Sequence, residues 1–155
     1  MYPTKDRIAQ SAHVSTLEDY QREYRRSLED PDGFWGEQGA RLEWFHPPVA
    51  TRSGGYEELD FQWYPGGKLN AASNCIDRHL KERGDKTAII WAADEPGEYR
   101  HISYRQLHRE VCRVANVLRA EGVRKGDRVC IYLPMIPELA FTMLACARIG
   151  AVHSI

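Results

Sequence analysis

The sequence predicts an α/β fold in which a helical, aromatic-rich arm precedes the first β-α-β-α-β part of a parallel-sheet subdomain. Tyrosine, tryptophan and phenylalanine are concentrated before residue 65, and strand and helix patterns alternate from Thr87 onward. The last stretch, Arg128–Ile155, has the pattern of a buried strand, an apolar helix and the start of another strand. Because this apolar run reaches the last residue without a closing turn, we expect the subdomain to be incomplete at its C-terminal end.

Composition and charge exclude several classes of protein. The 155 residues are 43% hydrophobic and 28% charged, a balance typical of globular domains. The net charge is −1 with mixed signs, so the basic patch expected of a nucleic-acid-binding protein is missing. Proline and charged residues interrupt the most apolar stretch, which is therefore a poor membrane span. With no basic, apolar leader pattern, we expect a cytoplasmic chain without nucleic-acid or membrane partners.

The cysteines do not form a metal-binding pattern. Cys75, Cys112, Cys130 and Cys146 are widely spaced and include no C-x-x-C pair, which favours free, buried thiols. Cys75 with His79, and His108 with Cys112, share a helix face by spacing, but a metal site needs three or four ligands. We assign no metal site.

The arm has a weak start and a clear first helix. Residues 1–14 show little periodicity and predict a loose arm, after which Ser15 and Glu18 match a capping box. The helix should end before Pro31, with the outward residues Arg22, Arg25 and Arg26 forming a solvated face rather than a phosphate site. The aromatic segment around Phe34-Trp35-Gly36 suits a latch that packs onto a larger body, with a ligand-stacking platform as the alternative.

A linker and a second helix follow. Residues 46–55 have linker composition, 61–64 predict a short strand, and Pro65-Gly66-Gly67 predicts a turn rather than a phosphate loop. A helix should run from Asn70 to about Arg83 and end at Gly84 as its C′ residue. The positions of this helix that can face inward are Ala71, Ala72, Cys75, Ile76 and Leu80.

The remaining elements are defined by turns and periodicity. Thr87–Trp91 and Glu98–Ile102 predict a hairpin around a type II turn, and Ser103 with Gln106 caps a helix ending at Gly122. The apolar stripe of that helix comprises Leu107, Val111, Val114, Ala115 and Leu118. Strand 128–133, helix 137–147 and strand 151–155 complete a parallel layer, with the middle strand expected to be buried on both faces. Ligands of such sheets bind beyond the carboxyl ends of the strands.

Residue chemistry alone indicates no active site. The chain lacks a phosphate loop with a lysine, G-x-S-x-G, H-E-x-x-H and C-x-x-C, and we interpret the isolated His153 as structural rather than as a ligand. We therefore assign no catalytic, cofactor-binding or metal-binding residue.

Three blocks together resemble the N-terminus of the acetyl-coenzyme A synthetase family, in the acyl-adenylate-forming superfamily. They are residues 32–36 (DGFWG), residues 63–79 (WYPGGKLNAASNCIDRH) and residues 135–155 (MIPELAFTMLACARIGAVHSI). After the loose arm at 1–14, the resemblance implies 15–84 as an N-terminal extension and 85–155 as the start of the AMP-binding domain. It also implies a ligase that converts acetate, ATP and coenzyme A through acetyl-adenylate, assisted by magnesium.

The resemblance also implies which parts of that chemistry this chain lacks. The family's Ser/Thr/Gly-rich loop, adenine segment, ribose aspartate and C-terminal lysine have no counterpart here, and its Phe-Gly-Gly would follow Ile155 directly. We therefore expect this chain alone to be inactive and to bind none of ATP, magnesium and coenzyme A tightly. Because the apolar faces around Phe141, Leu144 and Val152 would lack cover without later strands, we also expect the chain to self-associate. Two alternatives stay open: a propionyl-coenzyme A synthetase fragment, and a short non-enzymatic interaction module with a sheet edge near Val152 and Ile155.

Overall fold

The computed structural model describes residues 5–57 and 59–155. The contacts between residues divide it into two compact units. One holds the chain up to Leu42 together with His46–Gly67, and the other holds Glu43–Phe45 and Lys68–Ile155. Among the described residues, no helix combines the length and the apolar character needed to cross a membrane.

The first unit begins with two helices, α1 (Asp6–Ser11) and α2 (Leu17–Glu29). The sequence did not predict α1, but this helix buries none of its residues, so the loose arm at 1–14 stays a prediction; residues 1–4 lie outside the described part. The predicted capping box is also wrong by one position, because Thr16 rather than Ser15 is the N-cap and accepts from the Asp19 N–H at 3.0 Å. The Ser15 hydroxyl donates instead to the Asp19 carboxylate at 3.2 Å. Two neighbouring hydroxyl groups therefore lie at this helix start, and the hydroxyl of Thr16 rather than that of Ser15 accepts the backbone bond that caps the helix.

The third helix, α3 (Pro31–Ala40), begins where the sequence predicted only a stop. Asp30 is its N-cap and accepts from the Gly33 N–H at 3.0 Å. Proline is tolerated at the first helical position because its missing N–H would have had no partner there. Pro31 therefore ends one helix and starts the next, which places Phe34 and Trp35 on a helix.

The aromatic side chains of this unit pack on one another. Strand β1 (Arg52–Ser53) pairs antiparallel with β2 (Gln62–Trp63), and Trp63 contacts the Trp35 ring edge-to-face at 5.9 Å. The Tyr64 hydroxyl donates to the Trp35 carbonyl at 2.6 Å. The predicted solvated arginines lie on α2, where Arg22 pairs with Asp19 at 2.8 Å and Arg26 pairs with Glu37. The roles of latch and stacking platform stay predictions.

The predicted helix from Asn70 to Arg83 is broken in three. Asn70 caps α4 (Ala71–Cys75), a 3₁₀ turn covers Asp77–His79, and α5 spans Leu80–Arg83. The break occurs at Ile76, whose backbone leaves the helical region while its side chain is fully buried. Of the predicted inward positions, Ala72 and Ile76 are buried and Leu80 is half-buried, but Ala71 and Cys75 are exposed.

Helix α5 ends before Gly84 as predicted, but Gly84 is the C-cap, with a right-handed φ of −52°, rather than a C′ residue. A Cβ added there would lie 2.5 Å from Arg105 Nη2 and 2.5 Å from the Leu80 carbonyl oxygen. The close approach of neighbouring atoms therefore explains glycine at this position.

The hairpin and the long helix agree with prediction. Strands β3 (Thr87–Ala92) and β4 (Tyr99–Ser103) pair antiparallel, and Gly97 has the positive φ of +88° that a type II turn needs. Ser103 and Gln106 form the predicted capping box of α6 (Tyr104–Ala120). The central stripe residues of α6, Leu107, Val111 and Ala115, are buried.

The parallel β-α-β unit is formed by β5 (Arg128–Cys130), α7 (Pro137–Ile149) and β6 (Val152–Ser154). Strand β5 is shorter than predicted, and the expectation of burial on both faces is wrong, because Tyr132 beyond it is 100% exposed. The reason is that β5 and β6 form a sheet of their own, separate from β3 and β4. Two strands cannot cover the faces that an apolar central strand is suited to bury.

The core of the second unit lies where α6 and α7 meet, beneath the hairpin. Its buried members are Ile76, Ile102, Leu107, Val111, Ala115, Phe141 and Ala145. Helix α7 ends at Gly150, whose left-handed φ of +76° lets the chain turn directly into β6.

Gly150 and Gly97 provide a matched test of this turn. Both have positive φ, but a Cβ would lie 2.9 Å from Lys125 Cγ at Gly150 and meets nothing within 4 Å at Gly97. We expect Gly97→Ala to lower the free energy of unfolding by about 1 kcal/mol from backbone strain. Gly150→Ala should lower it by about 1–2 kcal/mol more, because Lys125 must also move. Urea unfolding of both variants measures the difference, and equal losses would contradict the Lys125 contact.

Candidate functional site at the carboxyl edge of the parallel strands

The carboxyl ends of β5 and β6 lie side by side. Arg128 pairs with Val152 and Cys130 with Ser154, and the Ile131 N–H continues the ladder by donating to the Ser154 carbonyl at 2.8 Å. Both strands therefore point to the same edge, the part of a parallel sheet where ligands bind. This edge is where the sequence leads us to expect a sheet of this kind to bind ligands, although we assigned no residue there.

The loop that leaves β5 forms most of this edge and is anchored from the hairpin. The Trp91 indole N–H donates to the Met135 carbonyl at 2.8 Å. The Ile136 N–H donates to the Pro134 carbonyl at 2.8 Å just before α7 begins at Pro137. These bonds hold the backbone while the side chains of Tyr132, Met135 and Ile155 stay exposed. The edge thus presents a largely apolar surface on a backbone that is fixed by hydrogen bonds.

The edge offers little chemistry of its own. Its loop, 131–136, carries no carboxylate and no cation. Among residues 5–57 and 59–155, no group of three or more histidine, cysteine, aspartate or glutamate side chains is placed to hold a metal ion. The edge therefore does not fit magnesium or a phosphate chain by itself, and we route no reaction step through its residues.

A polar cluster elsewhere in the second unit joins His108 and Cys112, which their spacing had linked, to Asp77 and Arg148, which the sequence had not linked to them. Arg148 on α7 donates from Nη2 to both carboxylate oxygens of Asp77, at 2.9 and 3.0 Å. His108 Nε2 lies 3.1 Å from Asp77 Oδ1 and 3.6 Å from Cys112 Sγ. Asp77 thus joins the 3₁₀ turn to α6 and α7.

This cluster is not a nucleophile relay. A Cys-His-Asp relay uses one ring nitrogen for the thiol and the other for the carboxylate. Here the same atom, His108 Nε2, faces both Cys112 and Asp77. The cluster therefore holds the helices together, and the only signal for it in the sequence was the spacing of His108 and Cys112.

The thiols differ sharply in their surroundings. The prediction of buried thiols holds for Cys146, is wrong for the exposed Cys75 and Cys130, and Cys112 is half-buried. Burial raises the pKa of the Cys146 thiol by desolvating its charged form. His153 pairs with Val129 across the parallel strands and is half-buried.

We expect Cys146 to be alkylated by iodoacetamide at least about tenfold more slowly than Cys130, because the thiolate is the reactive form. Peptide mass spectrometry of the native chain over time gives both rates. The urea-unfolded chain is the control, and in it the alkylation rates of Cys146 and Cys130 should be equal. Equal rates in the native chain would contradict the burial of Cys146.

Comparisons with known proteins agree with this architecture. The family described as AMP-binding enzyme matches residues 76–155, and the family described as acetyl-coenzyme A synthetase N-terminus matches residues 20–75. Acetyl-coenzyme A synthetase 2 of Pseudomonas aeruginosa is 56% identical over 100% of this chain, and the acetyl-coenzyme A synthetase of Alkalilimnicola ehrlichii is 55% identical over the same share. The chain spans 24% of the length of each.

A solved structure shows the same fold. The acetoacetyl-CoA synthetase from Streptomyces lividans has a TM-score of 0.75 and 31% identity, covering 94% of this chain and 22% of its own. The predicted α/β class and the resemblance to the acetyl-coenzyme A synthetase N-terminus are therefore confirmed. By its match over residues 76–155, this chain belongs to the family of AMP-binding enzymes.

Proposed function

We propose that this chain is the N-terminal scaffold of an AMP-forming acetate–CoA ligase. The observation that carries the proposal is the ordered match of the two family descriptions across residues 20–155, with 55–56% identity to two acetyl-coenzyme A synthetases. In the proposed reaction, acetate attacks the α-phosphate of ATP and releases pyrophosphate. The thiol of coenzyme A then attacks the acetyl carbonyl and releases AMP.

The carboxyl edge suggests which parts of the enzyme this chain would supply and which it would not. This chain would supply the parallel strands and the held loop at 131–136, which is apolar and anchored through the Trp91–Met135 bond. Residues outside this chain would hold ATP, magnesium and coenzyme A. The proposal accordingly assigns residues 15–84 to an N-terminal extension and 85–155 to the start of the AMP-binding domain, in a cytoplasmic enzyme.

A chimera tests the proposal directly. The chain would replace the corresponding first quarter of the Pseudomonas aeruginosa relative, to which it aligns along its whole length. We expect the chimera to release pyrophosphate in response to acetate and the 155-residue chain alone to stay at background. The native relative is the positive control.

The chimera also separates the alternatives. Preference for propionate over acetate, in a chimera whose parent prefers acetate, would favour the propionyl-coenzyme A reading. Turnover by the chain alone would contradict the scaffold role. A folded but inactive chimera would overturn the proposal and favour the alternative hypothesis, that the chain is a non-enzymatic interaction module.

We further propose that this chain self-associates through its parallel strands. Of the residues expected to lack cover, Val152 is exposed, but Phe141 is buried and Leu144 half-buried. Val152, together with the exposed Tyr132 and Ile155, lies at strands whose outer edges have no pairing partner among the described residues. Unpaired strand edges template association, and a lysine on the edge blocks it. We expect light scattering to show concentration-dependent oligomers that Val152→Lys reduces. Val117→Lys, at an exposed position on α6, is the control and should leave them unchanged.

A further inference from the structure

The second unit also contains a cationic cavity of about 380 Å³ at the amino edge of the parallel strands. Its lining includes Arg119, Arg124, Lys125 and Arg148, and none of its lining residues is a carboxylate. Lys125 lies just before β5, and the Gly126 N–H donates to the carbonyl of Gly150, just before β6, at 2.9 Å. The cavity is therefore at the opposite end of the strands from the candidate site.

The cations have one ordinary structural explanation, since Arg119 and Arg148 lie in the last turns of α6 and α7. Positive side chains stabilise the negative ends of helices. Several carbonyls at these ends, however, already have backbone or amide donors, and of the four cations Arg124 alone adds a bond to one of them, the Arg119 carbonyl. The backbone N–H groups of Gly122 and Val123 donate to α6 at 3.1 and 3.0 Å. The Asn70 amide donates to the Ala147 and Arg148 carbonyls of α7 at 3.1 and 3.0 Å.

Most of the positive charge in the cavity lies on side chains that have no ion-pair partner among the described residues, although the Asp127 carboxylate accepts from the Arg124 backbone N–H at 2.7 Å. Arg148 pairs with Asp77, but no described residue forms an ion pair with Arg119, Arg124 or Lys125. The Arg124 guanidinium donates to the carbonyls of Arg119 and Val123, at 3.1 Å each. Because these acceptors are neutral, they do not offset its positive charge. The stem of Lys125 lies over Gly150. These contacts hold like charges together in one concave site.

We propose that this cavity binds a phosphate group carried by a small, multiply charged anion. Guanidinium groups match phosphate oxygens with several parallel donors, and an ammonium adds a mobile charge. A cavity of this size suits a small molecule rather than a flat macromolecular surface. The inference does not depend on the proposed ligase activity, because it concerns the other end of the strands.

Calorimetric titration of the 155-residue chain with pyrophosphate at low ionic strength tests the site. We expect saturable binding of one pyrophosphate, weaker binding of orthophosphate, and about tenfold weaker binding of pyrophosphate by Arg119→Gln/Lys125→Gln. Arg105→Gln/Arg109→Gln is the matched control, because it removes the same charge from exposed arginines of α6 that already pair with Asp85 and Glu110. This control should change the affinity less than twofold. Circular dichroism confirms that each variant is folded.

Several outcomes would overturn the proposal. Heat without saturation would show that pyrophosphate only screens surface charge. Equal weakening by the two double variants would show a dependence on net charge rather than on this cavity. Binding of a polyglutamate peptide with no binding of pyrophosphate would assign the cavity to an acidic protein segment instead.

Discussion

Phe141→Ala should lower the free energy of unfolding by about 3–5 kcal/mol, the usual cost of removing a buried phenylalanine side chain. Phe141 is only 4% exposed and lies in the core between α6 and α7 with Leu107 and Val111. The loss combines the transfer of the ring into water with the cavity that the surrounding helices cannot fill. Because a small domain has only about 5–15 kcal/mol of stability, we expect much of the variant to be unfolded at 37 °C.

Urea unfolding followed by far-ultraviolet circular dichroism measures this loss. Val117→Ala is the matched control, because Val117 lies on α6 but is 61% exposed. Its substitution should change the free energy of unfolding by less than about 0.5 kcal/mol. A loss below about 1 kcal/mol for Phe141→Ala would contradict the core as described, since it would place the ring near water.

Asp77→Asn should lower the free energy of unfolding by about 2–4 kcal/mol, because it leaves the Arg148 guanidinium without its counter-charge. The two side chains are 28% and 23% exposed, so water compensates the charge only in part. Asp85→Asn removes a carboxylate from a pair with Arg105 in which Asp85 is 89% exposed. That control should cost less than about 1 kcal/mol, as exposed ion pairs do.

A second substitution separates the pair from other roles of Asp77. Replacing both partners, as in Asp77→Asn/Arg148→Met, should recover part of the loss, because no unpaired charge then remains. If Asp77→Asn lowers the free energy of unfolding no more than Asp85→Asn does, the Asp77 cluster does not stabilise the packing of the helices. If the double variant is as unstable as the sum of the two single variants, Asp77 acts through His108 rather than through Arg148.

Local signals in the sequence predicted the elements whose cause is local. The type II turn at Gly97 and the capping box of Ser103 and Gln106 depend on residues within a few positions, and both are present. The same holds for the stop of α7 at Gly150. Two of the wrong predictions involve competition between neighbours: Thr16 replaced Ser15 as the cap, and Ile76 interrupted a helix that its flanking residues favour. The burial predicted for Cys75, Cys130 and both faces of β5 was wrong because it depends on distant contacts.

The sequence by itself determined the α/β class, the order of the elements and the resemblance to its family, because periodicity, turns and motif blocks are written locally. Only the tertiary structure decided which distant residues meet. Asp77 and Arg148 are 71 positions apart, and Arg119, Lys125 and Arg148 share a cavity only because α6 and α7 end together. It also decided that β5 and β6 form a separate two-stranded sheet, because strand pairing depends on partners that no local pattern specifies.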